Sequence, residues 1–308
     1  MQTGLLIHPE ELSKKWIDRM AELGVDTLGI HPWGGKHAES AMYELVERLK
    51  TDEFRALIDY AKSCGLKVEY EMHAGSWLLP RNLFETHPEF FRVDETGQRT
   101  AKRNFCVTNP DAMEYVVGRA KELAQALYGL EDSYYFWLDD GRRYRCNCEK
   151  CAAYTSSDQL LLVVNAMARA LRKTNPNAKV AYLAFYETLK LPQSVKPEPG
   201  VFMEYAPIER KFDRPVWEMP EEEIEKLKAL LDFFGRKDSK VLEYWFDNSL
   251  FSKWKKPPIR YTPNNDLIRE DIRYYRDLGF ENITSFACFL GQDYEDLFGE
   301  PDVTAIRK

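Results

Sequence analysis

Gly4-Leu-Leu-Ile7, then a stretch ending in Gly24, then Thr27-Leu-Gly-Ile-His31 is the segment from which the fold can be read. The first run is a short apolar strand. From about Glu10, the residues Leu12, Trp16, Ile17, Met20 and Leu23 recur at helical spacing, and Gly24 sits where a helix commonly ends in a left-handed residue. A second apolar strand follows within a few residues. The same order returns along the chain. Gly65 precedes Lys67 to Met72, Gly129 precedes Tyr134 to Leu138, and Gly279 precedes Ile283 to Phe289. Val180 to Phe185 follows a helical stretch from Asp158 to Lys173. Val201 to Tyr205 comes next, and Val241 to Phe246 follows a helical stretch from Glu221 to Phe234.

That makes eight strands alternating with helices, without a linker-like break, and alternation of this kind predicts parallel strands in one sheet. Eight strands favour closure into a (β/α)8 TIM barrel, expected to span residues 1–308 as a single domain. The 308 residues suit a fold that needs roughly 250. An open doubly wound sheet is the alternative, but no glycine-rich phosphate loop follows any strand. A long loop after the third strand, Ser76 to Asn104, carries Trp77, Phe84, Phe90 and Phe91 and is expected to cover the barrel mouth. The segment after Phe289 is short for a last barrel helix.

Composition narrows the function classes. A net charge of −7 and the absence of a basic tract argue against nucleic acid or an anionic membrane as partner. No apolar run approaches the roughly 20 residues of a membrane span. Aromatic residues make up 13% of the chain, which suits a site that stacks on sugar faces, although large cores use the same rings. Three of the six cysteines lie in Cys146-Asn-Cys148-Glu-Lys-Cys151, a metal knuckle more than a disulfide framework. A reducing, cytoplasmic setting is therefore the default expectation, with secretion the alternative if a signal peptide has been trimmed. The sequence sets no oligomeric state.

Barrel enzymes work at the C-terminal ends of their strands, so polar residues there carry the most weight. They are His8, His31 with Trp33, His73 with Trp77, Asp139 with Asp140, Tyr186 with Glu187, Glu204 with Tyr205, Asp247 with Asn248, and Gln292 with Asp293. Asp139-Asp140-Gly141 closes the fourth strand. Two adjacent carboxyl groups facing one mouth would have separated pKa values and could divide general-acid and stabilising roles, as glycosidic cleavage requires. The plain alternative is a polar turn leaving a strand. His8, His31 and His73 end the first three strands and could converge on a divalent metal that activates water, or bind sugar hydroxyls. Three thiolates of the knuckle supply three corners of a tetrahedral zinc site, and Cys106 is the expected fourth. Structural zinc is the expected cofactor, with no organic one; free structural thiols are the alternative. Arg142, Arg143 and Arg145 beside the acid pair suit an anionic sugar, or neutralise the thiolates. Glu243, inside the seventh strand, is open between an internal ion pair and a buried nucleophile, and Glu69, Glu71 and Glu204 share that ambiguity.

The run Trp137-Leu-Asp-Asp-Gly141, followed by Cys146-x-Cys148-x-x-Cys151 and a helix from Leu160 to Arg172, resembles a family of bacterial barrel proteins of unknown function found among polysaccharide-degrading enzymes. The acid pair is also similar to that of O-GlcNAc hydrolases and, with Asp-Glu in place of Asp-Asp, of family 20 β-N-acetylhexosaminidases. The likeness covers roughly residues 100 to 190, and the knuckle is a departure from both hexosaminidase families. It implies glycoside hydrolysis in which the substrate's own acetamide attacks, Asp139 orienting it and Asp140 protonating the leaving oxygen. Sugar-binding positions would then be Trp33, Trp77, Tyr186, Tyr205 and Trp245, with Asp247 and Asn248 bonding hydroxyls. Barrel hydrolases that form a covalent intermediate instead take their nucleophile from strand seven, here Glu243 or Asp247. A noncatalytic carbohydrate-binding barrel would keep the same aromatic mouth.

Overall fold

The computed structural model describes residues 1–308. Its eight strands are β1 (Gln2–Ile7), β2 (Thr27–Ile30), β3 (Lys67–His73), β4 (Ser133–Trp137), β5 (Lys179–Ala184), β6 (Val201–Tyr205), β7 (Lys240–Glu243) and β8 (Asn282–Phe286). Each pairs in parallel with the next, and β8 pairs with β1, closing a (β/α)8 TIM barrel in sequence order. Around it lie α1 (Lys14–Leu23), α2 (Ala38–Arg48), α3 (Asp52–Ser63), the one-turn α4 (Gly75–Leu78), α5 (Pro110–Ala126), α6 (Ser156–Leu171), α7 (Glu221–Phe234), the one-turn α8 (Asn248–Phe251), α9 (Asn265–Leu278) and α10 (Gln292–Phe298).

Local chemistry sets the ends of these elements. Ser13 caps α1 by accepting the Trp16 amide, and Gly24 closes it at φ 69°. Thr155 and Asp158 form a reciprocal capping box on α6. Between β5 and β6 there is no full helix, only a short 3-10 turn, Tyr186–Leu189, and extended chain. Asp158 makes up for it: fully buried, its Oδ1 accepts the amides of Gln193, Ser194 and Val195 and straps this connection to α6.

Side chains alternate in and out along every strand, as the period of two requires. Leu6, Tyr135, Trp137, Leu183, Phe202, Leu242, Tyr244 and Phe286 fill the barrel axis, while the outward set packs against the helices. At Gly29 a Cβ would lie 2.5 Å from Leu6 Cγ, so the axis closes there only around a glycine. Embedded among these apolar side chains sits a charged layer, with Lys240 Nζ 4.1 Å from the centre of the Tyr135 ring. Lys240, 1% exposed at its side chain, contacts Glu69 (2.8 Å), Glu71 and Glu204 (3.5 Å). One ammonium faces three carboxylates, and burial pushes the pKa values of Glu71 and Glu204 upward against the pull of Lys240.

Glu243 points the other way, out of the barrel. It pairs with Arg210 (3.0 Å) and accepts from the Tyr275 hydroxyl (2.6 Å), and Arg210 also pairs with Asp271. The ambiguity over Glu243 is thereby resolved as an internal ion pair behind the strand.

Candidate active site

At the C-terminal end of the barrel is a cavity of about 500 Å³, floored by Trp137, Leu183, Leu242 and Phe286. His8, His31 and His73 form one wall, held by a shared device. Each donates Nδ1–H to a backbone carbonyl: His8 to His31 (2.8 Å), His31 to Glu71 (2.7 Å), His73 to Leu138 (3.0 Å). With the proton placed at Nδ1, Nε2 becomes a hydrogen-bond acceptor, and at His8 that atom is buried without a partner in the protein. Burial lowers the pKa of His8, and burial together with the flanking His8 and His73 lowers that of His31 further. The wall is a row of acceptors suited to hydroxyl donors. The three imidazoles are not gathered as ligands are: the groups of three or more His, Cys or acid ligand atoms within 4.8 Å of one another comprise the four cysteine sulfurs and do not include His8, His31 and His73. Trp33 stacks face to face on His8, with centroids 4.7 Å apart and planes 7° apart, and its indole N–H is fixed by Glu10 (2.6 Å).

The adjacent acids diverge. Asp140 lines the cavity and carries no hydrogen bond or ion pair from the protein. Asp139 turns away from it: its side chain is 3% exposed, paired with Arg81, and accepts the Asn104 amide at 2.5 Å. A Cβ on Gly75 would meet Asp139 Cγ at 2.8 Å, so this glycine lets α4 close over the carboxylate. In this cavity the expected pair is thus represented by Asp140 alone, while Asp139, which lines with Asp140 a smaller adjoining cavity of about 80 Å³, ties the loop after β3 to the end of β4.

The second carboxylate in the cavity is Asp247. Its Oδ1 accepts from Ser249 N (3.1 Å), Ser249 Oγ (2.5 Å) and Leu250 N (3.3 Å), leaving Oδ2 without a protein partner. Burial raises its pKa to about 6 against these three bonds. Tyr244 stands near both acids: burial, then Asp247, then Asp140 push its phenol well above the ordinary value, so it remains a donor.

The other expected contacts lie outside the cavity. Trp77 packs against Tyr43 and under the Arg119 guanidinium. Tyr186 lies beneath Arg142, and Tyr205 and Trp245 pack outward towards Tyr275, Trp245 donating to Asp271 (2.9 Å). Glu204 sits below the floor, accepting from Trp137 Nε1 (2.8 Å), and Asn248 bonds the carbonyls of Ile259 and Phe289. Tyr244 and Trp137 escaped the sequence reading: counting by two from Lys240, which the structure places inside the barrel, puts Leu242 and Tyr244 inside and Trp245 outside. Arg142 is taken by Glu209, and Arg145 bonds Asn147 (3.0 Å) and Tyr154, so neither is free for an anion.

Beside the mouth, Cys106 from the loop after β3 joins Cys146, Cys148 and Cys151 from the loop after β4, all four sulfurs within 4.8 Å. Cys106 Sγ lies 3.7 Å from Cys148 Sγ and 3.8 Å from Cys151 Sγ. A tetrahedral zinc with Zn–S of about 2.3 Å puts its sulfurs about 3.8 Å apart, so the spacing fits. Gln159 braces the site, bonding the Cys146 amide (2.9 Å) and the carbonyls of Cys146 and Cys151. Thr108 Oγ1 lies 3.1 Å from Cys151 Sγ.

Fold and cavity together define a TIM barrel with its main cavity at the strand C-termini. The chain belongs to the family described as "Domain of unknown function (DUF4838)", whose model matches residues 35–295. No curated protein sequence matches it. Among solved structures it is similar to the β-galactosidase of the Antarctic haloarchaeon Halorubrum lacusprofundi (TM-score 0.56, 12% identity, 99% of this chain and 57% of that one). It is also similar to the β-galactosidase of the psychrophilic Marinomonas ef1 (0.51, 12%, 92% and 54%). A third likeness is to a GH20 catalytic module of the pneumococcal exo-β-D-N-acetylglucosaminidase StrH (0.51, 12%, 99% and 80%). These structural neighbours are glycoside hydrolases; at this identity they speak for the barrel fold alone, and the chain spans a little over half the length of the two β-galactosidases.

Proposed function

We propose that the chain hydrolyses a glycosidic bond in the barrel mouth, with Asp140 as general acid and Asp247 as its carboxylate partner. The observation that carries this reading is the placement of two carboxyl groups in one cavity, each with an oxygen free of protein partners, opposite a wall of bare imidazole acceptors. Asp140 gives its proton to the leaving oxygen as the C–O bond breaks. The ionised Asp247 faces the positive charge developing at the anomeric carbon; water then forms the new C–O bond there and gives its proton to the Asp140 carboxylate, restoring the acid. The imidazole wall accepts from sugar hydroxyls. Acetamide-assisted attack of the hexosaminidase kind would need Asp139 in the cavity, and its pairing with Arg81 favours the Asp140–Asp247 pair instead.

The four cysteines complete the reading as a structural zinc site. Metal there would lock together the loops after β3 and β4, and so the backbone that presents Asp140, without joining the chemistry. The test is hydrolysis of a panel of nitrophenyl glycosides by wild type and Asp140→Asn, with and without chelator. Loss of roughly 10²-fold or more in Asp140→Asn is expected. A panel left uncleaved by wild type would leave a noncatalytic sugar-binding barrel.

A further inference from the structure

The lip of the cavity above β8, β1 and β2 differs in character from its wall. Lys36 from the loop after β2, and Lys253 and Lys255 from the loop after β7, line the cavity and form no ion pair, in a chain whose net charge is −7. Their neighbour Lys256 is paired with Asp293 (2.8 Å), so the contrast lies within one short loop. Between Lys253 and Lys255, Trp254 also lines the cavity while 58% exposed. Lys253 and Trp254 both adopt φ 53°, a left-handed backbone that side chains of this size rarely take, and the turn is held by Trp254 N–H donating to Ser249 O (2.7 Å). This places an exposed indole face and two unpaired ammonium groups at one rim.

Depth decides which part of a ligand meets them. The wall offers acceptors, the histidine Nε2 atoms, and the acids Asp140 and Asp247, with the Tyr244 phenol as a donor beside them, so an anionic group placed there would face mainly lone pairs and negative charge. Hydroxyl groups suit the wall, and an anion suits the lip. From this we infer that the cavity takes an acidic sugar, its ring against Trp254 and its carboxylate or sulfate at Lys36, Lys253 and Lys255. The inference rests on the carbohydrate reading of the cavity and names the substrate class for it.

The experiment is calorimetric binding of methyl glucuronide, methyl galacturonide, glucose 6-sulfate and methyl glucoside. The proteins are wild type and the triple variant Lys36→Ala/Lys253→Ala/Lys255→Ala, whose three positions are exposed. In low salt an acidic probe should bind wild type about tenfold more tightly than methyl glucoside, from exposed ion pairs each worth a few-fold. That preference should vanish in the triple variant and shrink at about 300 mM salt. Preference for the uronides alone assigns the lip to carboxylate, and for glucose 6-sulfate alone to sulfate. Equal binding of methyl glucoside, or a preference that survives the triple variant, overturns the inference. Failure of every sugar to bind removes it together with the carbohydrate reading. A salt-sensitive acidic preference without hydrolysis of any glycoside unseats the hydrolase reading and leaves this one standing.

Discussion

Replacing Asp247 by Asn should make the protein more stable and inactive. Burial moves the Asp247 pKa from an ordinary 3.8 to about 6. At 1.36 kcal/mol per unit, holding this carboxylate ionised in the fold costs about 3 kcal/mol at neutral pH. Asparagine keeps an Oδ1 that accepts from Ser249 N, Ser249 Oγ and Leu250 N, and carries no charge to desolvate. The sign follows from linkage. A carboxyl group whose folded pKa is raised holds more protons folded than unfolded, so its penalty is absent below about pH 3.8, grows to about pH 6 and is constant above. Asp247→Asn should therefore gain up to about 3 kcal/mol at about pH 7.5, with the gain shrinking towards zero near pH 4. Urea unfolding followed by tryptophan fluorescence at both ends of this range measures it. A variant less stable than wild type at about pH 7.5, or a gain that ignores pH, would refute the reasoning. The physical point is that a fold keeps a destabilising buried carboxylate where its charge is used.

If the ionised Asp247 is needed, kcat/KM should fall as pH drops through about 6; a fall on the alkaline side of that value would give Asp247 the acid role instead. Lys240→Met strands Glu69, Glu71 and Glu204 without a cation, and urea unfolding should show a loss of about 3–5 kcal/mol near neutral pH, partly regained in acid as the glutamates take up protons. Metal analysis should find one zinc per chain, lost in Cys106→Ser and retained in Cys64→Ser, since Cys64 lies outside the cluster. Asp139→Asn breaks the pair with Arg81, so kcat should drop while the pH profile stays in place, as befits a residue that positions Asp140.

The barrel was legible because its signals are local. Helical spacing, helix-ending glycines such as Gly24 and Gly279, and apolar runs fix element type within a few residues, and eight alternations leave few ways to close a sheet. Strand seven shows the limit. Choosing Trp245 over Tyr244 is a slip of one residue, and in a strand one residue is the difference between the cavity and the helix layer. Neither the apolar run nor the residue types reveal it; Lys240 reveals it only once its partners Glu71 and Glu204 are known to face it across the axis.

By itself, then, the sequence determined the strand order, the end of the barrel where the cavity lies, and the cysteine set including Cys106, because each depends on spacing along the chain or on ligand number. The tertiary structure alone decided that Asp139 and Asp140 part company, that Asp247 joins Asp140, and that Lys36 meets Lys253 and Lys255 at one lip. Those outcomes depend on Arg81, Asn104 and loops from distant strands. Where a carboxylate points is set by the partner that reaches it through space, and no pattern of neighbouring residues records which partner that is.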